Sequence, residues 1–294
     1  MPEYVDWFVN RTKQYLGFQK MLARETPKAI MLIEAPAEMG KTWLIQKMRH
    51  HCDQNRIPAM HVDFRDRRAY DYLALVRRGR DQLGARFFNP LTEVINQFTT
   101  AEVNITIESR RPATPTTVSV GDISNISGGE VIIAGGDVNI IKDNQFHIQA
   151  DSEMARRAAE IRINDAFFSC LTSLLAQSPV AFLFDSYEDI TLEAEHWLRD
   201  HLLFRLGEGQ LTHAIVVLAG RHILEPEATL KPLVAKTGLD LFDAEHVREY
   251  IVERRGIQGL DLDTIFKTSG GFPGLLAKMA DVASMDTQDD DDWL

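Results

Sequence analysis

Cysteine is scarce in this chain, with two in 294 residues, Cys52 and Cys170. Neither has a second cysteine or a histidine at metal-ligand spacing, which excludes a disulfide framework and a thiolate metal site and makes a reducing, cytoplasmic setting the expectation. Long apolar runs are also lacking. No segment reaches the length that crosses a bilayer, and the N-terminal MPEYVDWFVN does not place a basic stretch before an apolar one, so neither membrane nor secretion is expected. Positive charge is short as well: 32 Lys and Arg stand against 43 Asp and Glu, a formal net charge of −11. Affinity for phosphate backbones comes from clustered cations, so nucleic acid is an unexpected partner. The local exception is a group of arginines at 65, 67, 68, 77, 78 and 80, set against Asp66 and Asp71. Such a run is ordinarily a solvated helix face.

Hydrophobic residues make up 45% of the chain, enough for one large α/β domain with a small companion. Ala29 to Ala35 is an apolar run closed by Pro36, which predicts a buried parallel strand, and a helix follows over Lys41 to His51. Further strands are expected at Ala59 to Phe64, Val180 to Phe184 and Ala214 to Ala219, with helices at Tyr70 to Leu83, Ser152 to Gln177 and Leu192 to Leu206. The fold class is therefore α/β, with a parallel-sheet core over residues 1–242. Residues 100–150 interrupt that core: Gly121, Gly129 and Gly136 each precede an acid and β-formers, which fits short strands joined by glycine turns. Uncovered edges in this Gly/Asp-rich β insertion would offer a route to self-assembly. Residues 243–284 read as a small C-terminal helical lid domain and 285–294 as an acidic tail.

The chemistry is concentrated in APAEMGKTWL. From Ala35 it matches GxxxxGK[ST] except for the first glycine, and it lies between a strand and a helix as that pattern requires. Backbone amides and the helix N-terminus surround phosphate, while Lys neutralises charge and Thr ligates Mg²⁺. The expected nucleotide-binding residues are Pro36, Ala37, Glu38, Met39, Gly40, Lys41, Thr42 and Trp43. Ala35 stands at the strand end, where an extended L-residue is unstrained, while Gly40 keeps the position beside Lys41. Asp185 closes the VAFLF strand and is the second expected Mg²⁺ ligand after Thr42. Where many ATPases carry a water-activating glutamate, this chain has Ser186; Glu188 is the candidate acid nearby, or else caps the next helix. Arg221, in AGRH after the next strand, is placed to sense a γ-phosphate, or is a surface arginine. The catalytic set is thus Asp185, Glu188 and Arg221.

Together these motifs resemble the STAND class of P-loop ATPases, the NB-ARC and NACHT relatives within the AAA+-like group. FVNRTKQYLGFQKML is similar to the hhGRExE segment, with Arg11 on its Arg but Asn10 and Thr12 where Gly and Glu are usual. FLFDSYED is similar to the family's Walker B, LAGR to its sensor strand and SGGFPGLLA to its GxP motif, with Gly271 and Pro273 on the Gly and Pro. The resemblance implies ATP or ADP with Mg²⁺, Arg11 and Pro273 near the nucleotide, and a switch in bacterial signalling or defence. It also implies a homo-oligomer and a protein effector or sensor partner. Family members usually continue into a winged helix and repeats; this chain reads as a truncated piece or a minimal member. Slow ATP hydrolysis, an AAA+-type ATPase assisting a DNA transaction, and a nucleotide-bound scaffold without turnover all stay open on the sequence.

Overall fold

The computed structural model describes residues 7–66, 71–102, 145–148 and 152–286. Its elements run α1 (Thr12–Leu22), β1 (Ile30–Glu34), α2 (Lys41–Gln54), β2 (Ala59–Asp63), α3 (Tyr72–Gly84), α4 (Asn89–Phe98), β3 (Thr99–Glu102), β4 (Gln145–Ile148), α5 (Glu153–Leu175) and β5 (Val180–Asp185). There follow α6 (Leu192–Trp197), which continues through a π-helical stretch (Leu198–Leu203) into α7 (Phe204–Gly207), then β6 (Ala214–Gly220) and β7 (Val234–Thr237). The last elements are α8 (Ala244–Arg248), which continues as a π-helical stretch, α9 (Leu262–Ser269) and α10 (Pro273–Asp286).

Five strands form one parallel sheet in the order β2-β5-β6-β1-β7. The fold is therefore α/β with a P-loop NTPase-like core, in which β6 separates the strand before the glycine loop from the strand that ends in Asp185. β5 and β6 are buried along their whole length, which is why they read as unbroken apolar runs. Alternate residues serve opposite faces. Met31, Ile33, Ala181, Leu183, Val217 and Ala219 pack with Phe18 and Met21 of α1 and Leu44, Ile45 and Met48 of α2. Phe182 and Phe184 stack in the intervening register, and Phe64 stacks on Phe184 at 5.7 Å.

Parallel strands carry their C-terminal ends to one edge, so Glu34 comes beside Gly220 and Asp63 beside Asp185. Ligands of open α/β sheets bind outside that edge. The chain divides into two compact units, Met1–Tyr70 with Leu175–Leu294, and Asp71–Leu174. All the residues of the five-stranded sheet belong to the first. Within it, the helices from α8 onward build a smaller core from Val247, Ile251, Ile265, Leu276 and Ala280, joined by Val9 and Phe242. In the second unit α3 starts where the Asp71 side chain accepts from the Ala74 amide at 2.6 Å, and Phe88 packs on Phe167 at 5.5 Å.

Of the β insertion read at 100–150, the described part is Thr99–Glu102 paired antiparallel with Gln145–Ile148. Its glycine repeat, Arg67, Arg68 and residues 287–294 of the acidic tail lie outside the described residues. No helix among the described residues is long and apolar enough to cross a membrane.

Candidate functional site

The loop between β1 and α2 is bent by two left-handed residues, Glu38 (φ 62°) and Gly40 (φ 84°). Ala35 is not among them. Its amide still donates to the Gly220 carbonyl at 3.1 Å, continuing the strand ladder, and its methyl is buried in the core beneath. The absent first glycine therefore leaves no strain at position 35. The buried Lys41 folds back along the loop, its Nζ donating to the Ala35 carbonyl at 2.7 Å and the Pro36 carbonyl at 2.6 Å. Burial lowers its pKa, partly opposed by the nearby negative charges of Glu188 and Asp185. Pro36 and Ala37 are exposed at the crown of the loop.

Asp185 is 1% exposed. Its Oδ1 accepts from the Ser186 amide at 2.8 Å, while Oδ2 is buried with no partner in hydrogen-bond geometry. Burial pushes the carboxyl pKa up, against the Thr42 side chain, which lies near enough to favour the charged form. An orphaned, nearly inaccessible carboxylate oxygen beside a threonine is a hard-oxygen donor pair, which fits Mg²⁺. Among the described residues no group of three or more His, Cys, Asp or Glu could cage a metal.

Glu188 and Arg221 are brought together. The Arg221 amide donates to Glu188 Oε2 at 2.8 Å and its Nε to Oε1 at 2.6 Å. Burial alone would raise the Glu188 pKa, but these bonds hold it below the usual carboxylate range. The turn after β5 is thereby tied to the end of β6. On the other side of Asp185, Asp63 is gripped by Arg65, whose Nη2 lies 2.6 Å from Oδ2.

A pocket opens beside the loop. Five expected residues line it: Arg11, Met39, Gly40, Trp43 and Pro273. Arg11, left-handed and buried, donates to the Met39 carbonyl at 3.0 Å and lies 5.3 Å from the Phe242 ring centroid. Burial lowers its pKa, which Asp240 partly offsets. The loop is also docked to the start of α10. The Gly274 amide donates to the Glu38 carbonyl at 2.8 Å, and Lys278 pairs with the Glu38 carboxylate.

Trp7, Phe8, Val9, Phe242, Tyr250, Gly274 and Ala277 also line the pocket and were not expected from the sequence. Asp63 was not singled out either, although an acid closing the AMHV run obeys the rule that identified Asp185, and Arg65 entered only as one of the clustered arginines. Gly274 follows the expected proline directly, so the GxP segment held a second signal. The wall aromatics carry none, because they come from segments more than two hundred residues apart.

Neither a protein-family profile nor a curated protein matches the chain. Among solved structures it is similar to a signal transduction ATPase with numerous domains (STAND) protein with a tetratricopeptide repeat sensor from Pyrococcus horikoshii, with a TM-score of 0.41 and 12% identity. That likeness covers 90% of this chain and 28% of the other, so this chain spans less than a third of that protein's length.

Proposed function

We infer that this chain binds ATP with Mg²⁺ and acts as a STAND-type switch, its nucleotide state governing conformation and self-association. The observation that carries the reading is the meeting of Lys41, Thr42 and Asp185 beyond the ends of two strands of one parallel sheet, with an unpartnered, buried carboxylate oxygen among them. Lys41 is the mobile charge: it exchanges the Ala35 and Pro36 carbonyls for phosphate oxygens, which a charge interaction in a poorly solvated site favours. The N-terminus of α2 adds its dipole. Thr42 and Asp185 are the residues that would hold Mg²⁺, which supplies neutralisation of the phosphate charge. Glu188 presents Arg221 toward a γ-phosphate, and Arg11, Met39, Trp43 and Pro273 enclose the base. Closure of α8 to α10 on the loop is the step that would link nucleotide state to a homo-oligomer or a protein effector.

Calorimetry with ATP and Mg²⁺ tests this. Lys41→Ala should lose affinity by roughly 30- to 100-fold, the worth of a charged hydrogen-bonding group. Unchanged affinity would show that the site lies elsewhere. A second reading, nucleotide as a structural ligand without turnover, is favoured by Ser186 after Asp185 and by the engagement of both Glu188 oxygens with Arg221. A phosphate-release assay separates the two.

A further inference from the structure

We propose that Asp63, on the strand beside Asp185, orients the attacking water for hydrolysis of the bound nucleoside triphosphate, a task Ser186 has no carboxylate to perform. This rests on the nucleotide-site reading above. Asp63 closes β2 in register with Asp185, and the Phe64 amide donates to the Asp185 carbonyl at 3.1 Å, so the two strand ends are pinned together. Ser186 is left-handed (φ 56°) and buried, and its side chain lies near enough to Asp63 to favour the charged carboxylate. The residue after Asp185 is thus turned toward the neighbouring strand, and the acid stands there instead. The Asp63 side chain is 26% exposed, which lets water reach it. Beside it the 1%-exposed Asp185 carboxylate has a buried oxygen without a hydrogen-bond partner, the position assigned above to Mg²⁺.

Arg65 sets the carboxylate's geometry. Its amide and Nε donate to Oδ1 at 3.1 and 3.0 Å, and Nη2 donates to Oδ2 at 2.6 Å. Burial would raise the Asp63 pKa, but Arg65 holds it below the usual range, so the group is ionised and weakly basic. A loose phosphoryl-transfer transition state asks mainly for an oriented nucleophile, which suits a weak base. The water oxygen bonds to the γ-phosphorus as the bond to the β,γ-bridging oxygen breaks. The electron pair stays on ADP, and the water's proton passes to Asp63 and then to solvent, leaving inorganic phosphate.

Asp63→Asn is the test, since Asn keeps the size and one of the two oxygens that accept from Arg65. Three quantities are measured on the full chain: Mg–ATP and ADP affinity by calorimetry, single-turnover phosphate release, and retention of ADP–aluminium fluoride, which mimics the transferring phosphoryl group, on gel filtration. D63N should hold Mg–ATP and ADP within about threefold of wild type, lose phosphate release by about 100-fold or more, and shed ADP–aluminium fluoride at least about tenfold faster. Wild-type turnover and retention in D63N would overturn the assignment. So would a parallel loss of ADP affinity, which would mark a structural role. A wild type that binds Mg–ATP but never releases phosphate sinks Asp63 alone, whereas one that binds no nucleotide sinks the nucleotide reading itself.

Discussion

Burial of the 1%-exposed Asp185 side chain holds its carboxyl above the usual range, against the opposing pull of Thr42 and the Ser186 amide. A pKa raised in the folded state means that the fold holds the proton more tightly than the unfolded chain does. The stability from this group is therefore fully present below the unfolded pKa and is lost as pH rises through the folded one. At neutral pH the residue that would hold Mg²⁺ weakens the nucleotide-free fold. Asp185→Asn keeps an acceptor for the Ser186 amide and removes the buried charge. Its Tm should exceed that of wild type at pH 7 by roughly 1–4 °C, with the gap shrinking as pH falls toward 4, while Mg–ATP affinity drops. A lower Tm at pH 7 would mean that the ionised carboxylate is better satisfied than its surroundings allow. Asp185 and Lys41 were legible in the sequence because each sits at a fixed offset from an apolar strand. Asp63 was not, because taking its strand through Phe64 turned a terminal acid into an internal one.

Helix α10 approaches the glycine loop so closely that a Cβ at Gly274 would lie 2.6 Å from the Glu38 Cβ, a distance real Cβ atoms essentially never show. Either the loop or the helix must then move, and the hydrogen bond from the Gly274 amide to Glu38, already in a left-handed conformation, goes with it. Gly274→Ala should cost about 1–3 kcal/mol of stability and weaken ATP binding at least about tenfold. Lys278→Ala, which removes an exposed ion pair from the same contact, should change affinity less than about threefold. Equal effects of the two would show that charge rather than close packing joins helix and loop; denaturant titration and calorimetry together decide. The strands β1, β2, β5 and β6 were readable to within a residue or so, because burial on both faces forces continuous apolar runs. Strand β7 was not: it pairs only with β1, none of its residues is fully buried, and its VAKT carries no periodic signal. Helix α1 was recognised only as a motif, since its polar face dilutes the apolar spacing of Phe18, Met21 and Leu22.

The unit that carries the sheet is discontinuous in sequence: it is left after Tyr70 and re-entered at Leu175, with Asp71–Leu174 forming the other unit. The residues assigned to the nucleotide come from both of its segments, Arg11 to Asp63 from the first and Asp185 to Pro273 from the second. A ligand bound there ties together two stretches that the chain itself joins only through the other unit. Any ligand that binds the folded state alone stabilises it by RT ln(1 + [L]/Kd), about 2.7 kcal/mol at a hundredfold excess over Kd. That stabilisation belongs to the cooperative body holding the site, and amides elsewhere share it only if they open with that body. Hydrogen exchange should therefore show slowing on addition of Mg–ATP in peptides covering 36–48, 180–188 and 273–280, by up to about 100-fold where exchange needs opening of the whole unit. Peptides from α5 within 156–172 should change little, and Lys41→Ala should abolish the response throughout. Equal slowing in α5 would mean that the two units open as one body, and nucleotide would then act on the whole chain.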